Sequence, residues 1–139
     1  MEPLWNEKGR VVAILDWGLV EPGNLWYDSG YLAWFIVPLM DDERARARGF
    51  PLPPNRMKRL EAFPSGASMS SPELLLAALG AQKEYEQRVS SRGSLPHGGQ
   101  WKVFQRLGFH KNAAADREWT IAHLGDKVLG HPIGWALIA

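Results

Sequence analysis

The feature that most constrains the fold is a short apolar run that ends in a carboxylate. Val11–Leu15 is rich in β-branched residues and follows the turn-forming residues Glu7-Lys8-Gly9, so it predicts a buried strand. Asp16 follows directly. An ionised carboxylate at the end of an apolar strand is costly unless a cation, a metal ion or N–H donors face it. Asp16 is therefore the first candidate functional residue, although a lone Asp at a strand end more commonly accepts hydrogen bonds from the following turn.

The residues after Asp16 add a specific order of elements. Asp16-Trp17-Gly18 is followed by a Pro-Gly-Asn turn at 22–24 and then by Asp28 at the start of an aromatic segment. This order resembles the C-terminal-lobe signature of the aminoglycoside phosphotransferase, or choline kinase-like, family, which has the protein kinase-like fold. In that family the pattern reads roughly I-D-W/F-x-x-A-x-x-G-x-x-x-x-D-x-A-Y. The resemblance is specific over residues 10–39, and the rest of the chain shows only a compatible helical pattern.

The resemblance implies phosphoryl transfer from Mg-ATP to a hydroxyl of a small molecule. Asp16 matches the Asp that holds the Mg²⁺ bridging the phosphates, which makes it the expected metal ligand and, through Mg²⁺, the cofactor-binding residue. Asp28 matches the family's second Asp, which supports the catalytic loop by accepting backbone N–H bonds. Gly23 matches the tight turn between them, where a residue without Cβ takes positive φ at little steric cost.

Two pairs of residues depart from the family pattern. Asn24-Leu25 stands where the family usually has Asp or Pro-Arg, and Ser29-Gly30 stands where it has a Leu-Ala pair. The two small residues weaken the start of the helix.

The family's catalytic machinery has no counterpart in the sequence. In these enzymes a loop of the form H-G-D-x-x-x-x-N supplies the general base and the second metal ligand just before a strand pair. Leu4-Trp5 and Val11–Leu15 predict that strand pair, so the base is expected upstream of Met1. Neither G-x-G-x-x-G nor G-x-x-x-x-G-K-S/T occurs. We expect no catalytic residue here, and the resemblance implies a fragment of an ATP-dependent small-molecule phosphotransferase that is inactive alone. Whether Mg²⁺ and ATP bind to such a fragment stays open.

Apolar periodicity after the signature predicts helices separated by Pro- and Gly-rich breaks. A central helix is expected over 26–37 and ends at Pro38, and further helices are expected over 55–63, 72–90, 100–109 and 112–129. Residues 41–49 form either a short helix or a loop. We expect one domain over 1–139, of the α+β class but mostly α-helical: a truncated C-terminal lobe of a protein kinase-like fold with a small β-hairpin near the N-terminus.

Side-chain spacing gives more detailed expectations for these helices. Ser70 and Glu73 predict a capping box. A run of charged residues further along is expected on the solvated face: Glu84, Glu86, Arg88 and Arg92. The inward residues expected near the C-terminus are Trp101, Phe104, Leu107, Ala115, Trp119, Ala122 and Val128. Asp116 and Glu118 are expected at the head of the last helix, where negative charge complements the helix dipole.

Composition excludes several classes of function. Sixteen basic and fifteen acidic residues leave a net charge of +1, which indicates neither a nucleic-acid nor an anionic-membrane partner. The absence of cysteine excludes a disulfide framework and a cysteine zinc site, and it agrees with a cytoplasmic location. No segment approaches the roughly 20 apolar residues of a membrane span. The four histidines share no metal-ligand spacing.

Two other interpretations remain beside the phosphotransferase fragment. The chain could instead be a non-catalytic helical binding or scaffold module derived from such an enzyme, pairing as a homodimer through an exposed aromatic surface supplied by some of its seven Trp residues. It could also be a remnant or a mis-started reading frame. In an intact parent enzyme the partner would be a small-molecule hydroxyl acceptor. Basic residues among the carboxylates of 41–61 do not favour an aminoglycoside.

Overall fold

The computed structural model describes residues 2–15, 25–50, 52–63 and 68–130. In these ranges the chain is mostly helical, which confirms the α-rich class predicted from apolar periodicity. Two of the three predicted site residues, Asp16 and Gly23, lie outside the described residues, as does the apolar C-terminal segment 131–139.

Two antiparallel strands, β1 (Glu2–Trp5) and β2 (Val11–Leu15), come first in the described chain. Asn6 organises the turn between them, because its side-chain oxygen accepts two backbone N–H groups of the turn at 2.9 and 3.0 Å. Gly9 takes a φ of +67° there, which a residue without Cβ adopts at little cost. Strand β2 ends one residue before Asp16.

The longest helix, α4 (Ser71–Gly93), is the element against which the others pack. Helices α1 (Leu25–Ile36), α5 (Gln100–Arg106) and α6 (Phe109–Thr120) each lie along it. Helix α3 (Arg56–Ala62) contacts it as well. The site residues on α1 are therefore held in place chiefly by α4.

The capping box predicted for α4 is present. The Ser70 hydroxyl accepts the backbone N–H of Glu73, and the Glu73 carboxylate accepts the backbone N–H of Ser70 at 2.7 Å. These two bonds satisfy donors that the first turn of a helix otherwise leaves without partners. The helix is longer than the predicted 72–90, and its buried residues include Leu74, Leu75, Ala78, Leu79, Gln82 and Val89.

Two shorter segments complete the helical architecture. Residues 41–49, for which a helix and a loop were both open, contain helix α2 (Asp42–Ala47). After α6 the chain continues through a π-helical turn (Ile121–Gly125) into α7 (Asp126–Leu129), and Gly130 ends this helix with a φ of +69°.

The core lies between α1, α4 and the helices that follow them, and partly buried aromatic rings pack against it. Tyr31 contacts the rings of Trp34, Phe35 and Tyr85 at centroid distances of 5.0 to 6.0 Å. The ring contacts continue from Tyr85 through α5 to α6, by way of Trp101, Phe104 and Phe109. No helix within the described ranges is long and apolar enough to cross a lipid bilayer.

Candidate functional site

Asp28 is the predicted site residue that the structure describes. It lies in the first turn of α1 with an exposed side chain, where its negative charge complements the helix dipole. Helix α1 starts at Leu25, two residues after Gly23 in the sequence. The roles expected for Asp16 as metal ligand and for Asp28 as support of a catalytic loop stay predictions.

A shallow cleft of about 240 Å³ lies between the first turn of α1 and the middle of α4. Two aromatic side chains, Trp26 and Tyr27, line it opposite small and apolar residues of α4. Arg88 lies over the Tyr27 ring, 4.8 Å from its centroid, and pairs with Glu84, the carboxylate that lines the cleft. Because this carboxylate is already paired, the cleft favours aromatic or apolar contacts over a further cation.

Gly30 lies where α1 and α4 approach each other most closely among the described glycines. A Cβ built on Gly30 would lie 2.1 Å from the carbonyl oxygen of Ala77, so the backbones of α1 and α4 touch at this point. No larger residue fits there without moving a helix. The small residue that weakens the start of α1 in isolation therefore allows it to pack closely on α4.

A buried carboxylate joins α1, α2 and α6. Asp116 has no exposed surface, and its Oδ2 accepts hydrogen bonds from the indole Nε1 of Trp34 and from the guanidinium of Arg44, both at 2.9 Å. Arg44 also donates to the carbonyl oxygen of Asn112 at 3.0 Å. Asp116 Oδ1 has no hydrogen-bond partner among the described groups. We call Trp34, Arg44 and Asp116 the carboxylate cluster.

Burial raises the pKa of Asp116 from its usual 3.8 to about 6, because desolvation disfavours the ionised form. The positive charges of Arg44 and Arg48 and the Trp34 hydrogen bond act in the opposite direction, and the nearby Asp41 raises the pKa further. A carboxylate that titrates near neutrality is often catalytic. In this conformation, however, no substrate reaches a side chain without exposed surface, so the cluster holds three helices together.

The structure corrects the expected place of Asp116. Helix α6 begins at Phe109, so Asp116 lies within the helix and not at its head, and its side chain points inward. The signal that could have found it is its spacing from two other inward residues of α6, Ala113 three positions before it and Thr120 four positions after it. Glu118 is exposed and lies in the last turn of α6, so its expected place at the head of a helix is also wrong.

A second polar cluster binds the backbone of the turn after α1. The Arg56 guanidinium donates to the carbonyl oxygens of Pro38 at 2.9 Å and Met40 at 2.7 Å, and it pairs with Asp42 at 2.8 Å. It also lies over the Trp119 ring, 4.3 Å from the centroid. We call Arg56 and these partners the arginine clamp. Because Arg56 is itself buried, the clamp provides partners for groups that water cannot reach.

Leu39 lies between Pro38 and Met40, and side chains from two other helices bind its backbone. Its carbonyl oxygen accepts hydrogen bonds from Gln82 of α4 and Thr120 of α6, both at 3.2 Å. The turn that ends α1 is thus fixed from several directions. This arrangement is structural, because its polar groups are buried and face the backbone.

The described residues offer no group of three or more His, Asp or Glu side chains that could hold a metal ion. Mg²⁺ commonly keeps several waters and binds through one or two carboxylates together with substrate phosphates. Asp16, the predicted metal ligand, lies outside the described residues.

Comparison with family models, with characterised proteins and with solved structures gives no match for this chain.

Proposed function

We propose that this chain contributes the magnesium-binding strand and the central helix of a cytoplasmic, ATP-dependent small-molecule phosphotransferase of the aminoglycoside phosphotransferase type. The observation that carries this proposal is the order of elements around Asp16. Strand β2 ends at Leu15, helix α1 begins at Leu25, and Asp28 lies in its first turn. The helices that follow α1 support the proposal, because a kinase-like C-terminal lobe is mostly helical.

The proposed role of Asp16 is to share one Mg²⁺ with the phosphates of ATP. A single carboxylate holds Mg²⁺ weakly, so phosphate oxygens and water must supply the other ligands. Metal binding should therefore require nucleotide. Asp28 would act as a positioning residue, and the acceptor would be a small molecule with a free hydroxyl.

The proposal covers binding and not turnover by this chain. The 139 residues contain no H-G-D-x-x-x-x-N loop and no Gly-rich phosphate-binding loop. A coupled ATP assay on this chain should give no phosphorylated acceptor. Turnover in that assay would contradict this part of the proposal.

Electron paramagnetic resonance with Mn²⁺ in place of Mg²⁺ tests the binding directly. We expect bound Mn²⁺ only in the presence of a non-hydrolysable ATP analogue, and its loss in Asp16→Asn. Asp126→Asn, which removes an exposed carboxylate from α7, is the matched control and should bind as the parent chain does. Absence of nucleotide-dependent Mn²⁺ binding, or equal binding by Asp16→Asn, would overturn the proposal.

A second candidate function is the non-catalytic binding module, and one observation favours it. Trp26 is 47% exposed and lies beside the exposed Leu76 at the cleft between α1 and α4. Large exposed apolar side chains that lie together mark interaction surfaces. Sedimentation analysis should then show a dimer that Trp26→Ser converts to a monomer. Leu52→Ser, an exposed leucine away from the cleft, should leave the dimer intact.

A further inference from the structure

The charges of this chain are unevenly distributed along it. Between Glu86 and Asp116 the sequence contains no acidic residue, but it contains five Arg or Lys residues and two His residues. The near-zero net charge of the whole chain conceals this basic segment. It includes the end of α4, all of α5 and the first half of α6.

Helix α5 presents both basic and apolar side chains outward. Lys102, Val103, Arg106 and Leu107 are spaced so that they share one side of the helix, and all four are exposed. Val103 is 40% exposed and Leu107 is 58% exposed. By contrast, the two aromatic residues of the same helix, Trp101 and Phe104, are half-buried and contact other rings.

The turn before α5 extends this surface. Leu95 lies there and is 55% exposed. The ammonium group of Lys102 donates to the carbonyl oxygen of Pro96 at 2.9 Å, which holds the turn against α5. We call Leu95, Lys102, Val103, Arg106 and Leu107 the basic apolar face.

A depression of about 440 Å³ lies on the same side of the molecule. Lys102 and Arg106 line it together with Val103, Gln105 and the backbone at Gly93. Its two charged lining residues are both basic, which suits a negatively charged headgroup.

We propose that the basic apolar face docks on the surface of an anionic lipid bilayer. Each Lys or Arg close to such a surface gains from the negative potential of the headgroups. Leu95, Val103 and Leu107 would enter the boundary between headgroups and acyl chains, as apolar side chains of interfacial helices do. The absence of acidic residues from the segment means that docking brings none of its carboxylates against the lipid phosphates.

The character of the face favours lipid over two other anionic partners. A nucleic-acid surface gains from stacked aromatic rings, but Trp101 and Phe104 are half-buried and contact each other and the core rings. An acidic helix of a protein needs a groove for its apolar side chains. Here the most exposed apolar side chains, Leu95 and Leu107, project from the turns at the two ends of α5.

Co-sedimentation of the full chain with vesicles tests the proposal. One vesicle preparation is phosphatidylcholine alone and the other is an equal mixture with phosphatidylglycerol. The chain should bind only the mixed vesicles, and added salt should weaken the binding. Arg106→Glu and Leu107→Asp should each weaken it about tenfold or more, since the first reverses a charge and the second removes an inserting side chain.

Two variants outside the face are the matched controls. Arg46→Glu reverses an exposed charge on α2, and Leu52→Asp replaces an exposed leucine. Both should bind the mixed vesicles as the parent chain does, and circular dichroism should show that all four variants are folded.

Several results would overturn the proposal. The first is that the chain does not bind the mixed vesicles, and the second is that the control variants lose as much vesicle binding as Arg106→Glu and Leu107→Asp do. The third is that the chain binds single-stranded DNA and that Arg106→Glu and Leu107→Asp abolish this binding. Self-association of the chain that Leu107→Asp prevents would also overturn it, because the face would then be covered by a second copy.

Discussion

Protonation of Asp116 should change the stability of the fold in a defined pH window. Burial raises the pKa of this carboxyl group from 3.8 to about 6 in the folded chain. The folded state therefore holds the proton more tightly than the unfolded state does. The stabilisation from this proton is fully present below pH 3.8 and is lost as the pH rises through about 6.

The size of the effect follows from the difference in pKa. At about 1.4 kcal/mol per pKa unit, a difference of roughly two units corresponds to about 3 kcal/mol of unfolding free energy. The sign of the change in unfolding free energy with pH shows which of two interactions is larger. If desolvation outweighs the Arg44 pair, stability falls as the pH rises, and if the pair outweighs desolvation, stability rises with pH.

Urea unfolding followed by tryptophan fluorescence at a series of pH values measures this change. The comparison is between the parent chain and Asp116→Asn, which removes the titrating group and keeps an acceptor for the Trp34 indole. The stability of the parent relative to this variant should fall by about 3 kcal/mol between about one pH unit below 3.8 and about one pH unit above 6. Asp126→Asn controls for the loss of one negative charge. A flat or rising difference would refute the reasoning.

Four further substitutions test packing and helix capping by the same unfolding measurement. Gly30→Ala should destabilise the fold by about 1–3 kcal/mol or more, because its Cβ would lie 2.1 Å from the Ala77 carbonyl oxygen. A Cβ at Gly80 meets nothing within 4 Å, so Gly80→Ala should stabilise α4 by about 0.5–1 kcal/mol. A loss of stability in Gly80→Ala equal to that in Gly30→Ala would contradict this. Arg56→Met should cost about 3 kcal/mol or more, because it leaves two buried carbonyl groups without their donor; a neutral result would show that the clamp is not needed. Ser70→Ala should cost about 1 kcal/mol through loss of the capping box, and no change would contradict that role.

Local features of the fold could be predicted because the residues that determine them are close in sequence. The capping box of α4 depends on two residues three positions apart, Ser70 and Glu73. The start of α3 depends similarly on Asn55, whose side chain accepts the backbone N–H of Lys58 at 3.0 Å. The position of Asp28 at the start of α1 likewise followed from the order of residues around it.

The C-terminal helices show why inward faces are harder to predict. Gly108 takes a φ of +76° and separates α5 from α6, so α6 starts three residues earlier than expected. Leu107, expected inward, is 58% exposed, which makes that prediction wrong. Ala115 and Ala122 are likewise exposed, while Trp119 and Val128 are half-buried.

Contacts between distant residues gave no signal in the sequence. Trp34 and Asp116 are 82 positions apart, and their hydrogen bond depends on how α1 and α6 both pack on α4. The charged face of α4 was expected to be solvated, but Glu86 pairs with Arg117 of α6 and both are half-buried. The pairing of Glu86 with another helix depends on tertiary packing.

The most direct test of the central claim is to locate the metal. Crystals of the chain grown with Mn²⁺ and a non-hydrolysable ATP analogue would show the ion by its anomalous scattering. We predict a peak at about 2.1 Å from a carboxylate oxygen of Asp16, with phosphate oxygens of the nucleotide as further ligands. A bound metal–nucleotide complex that is remote from Asp16 would contradict the account.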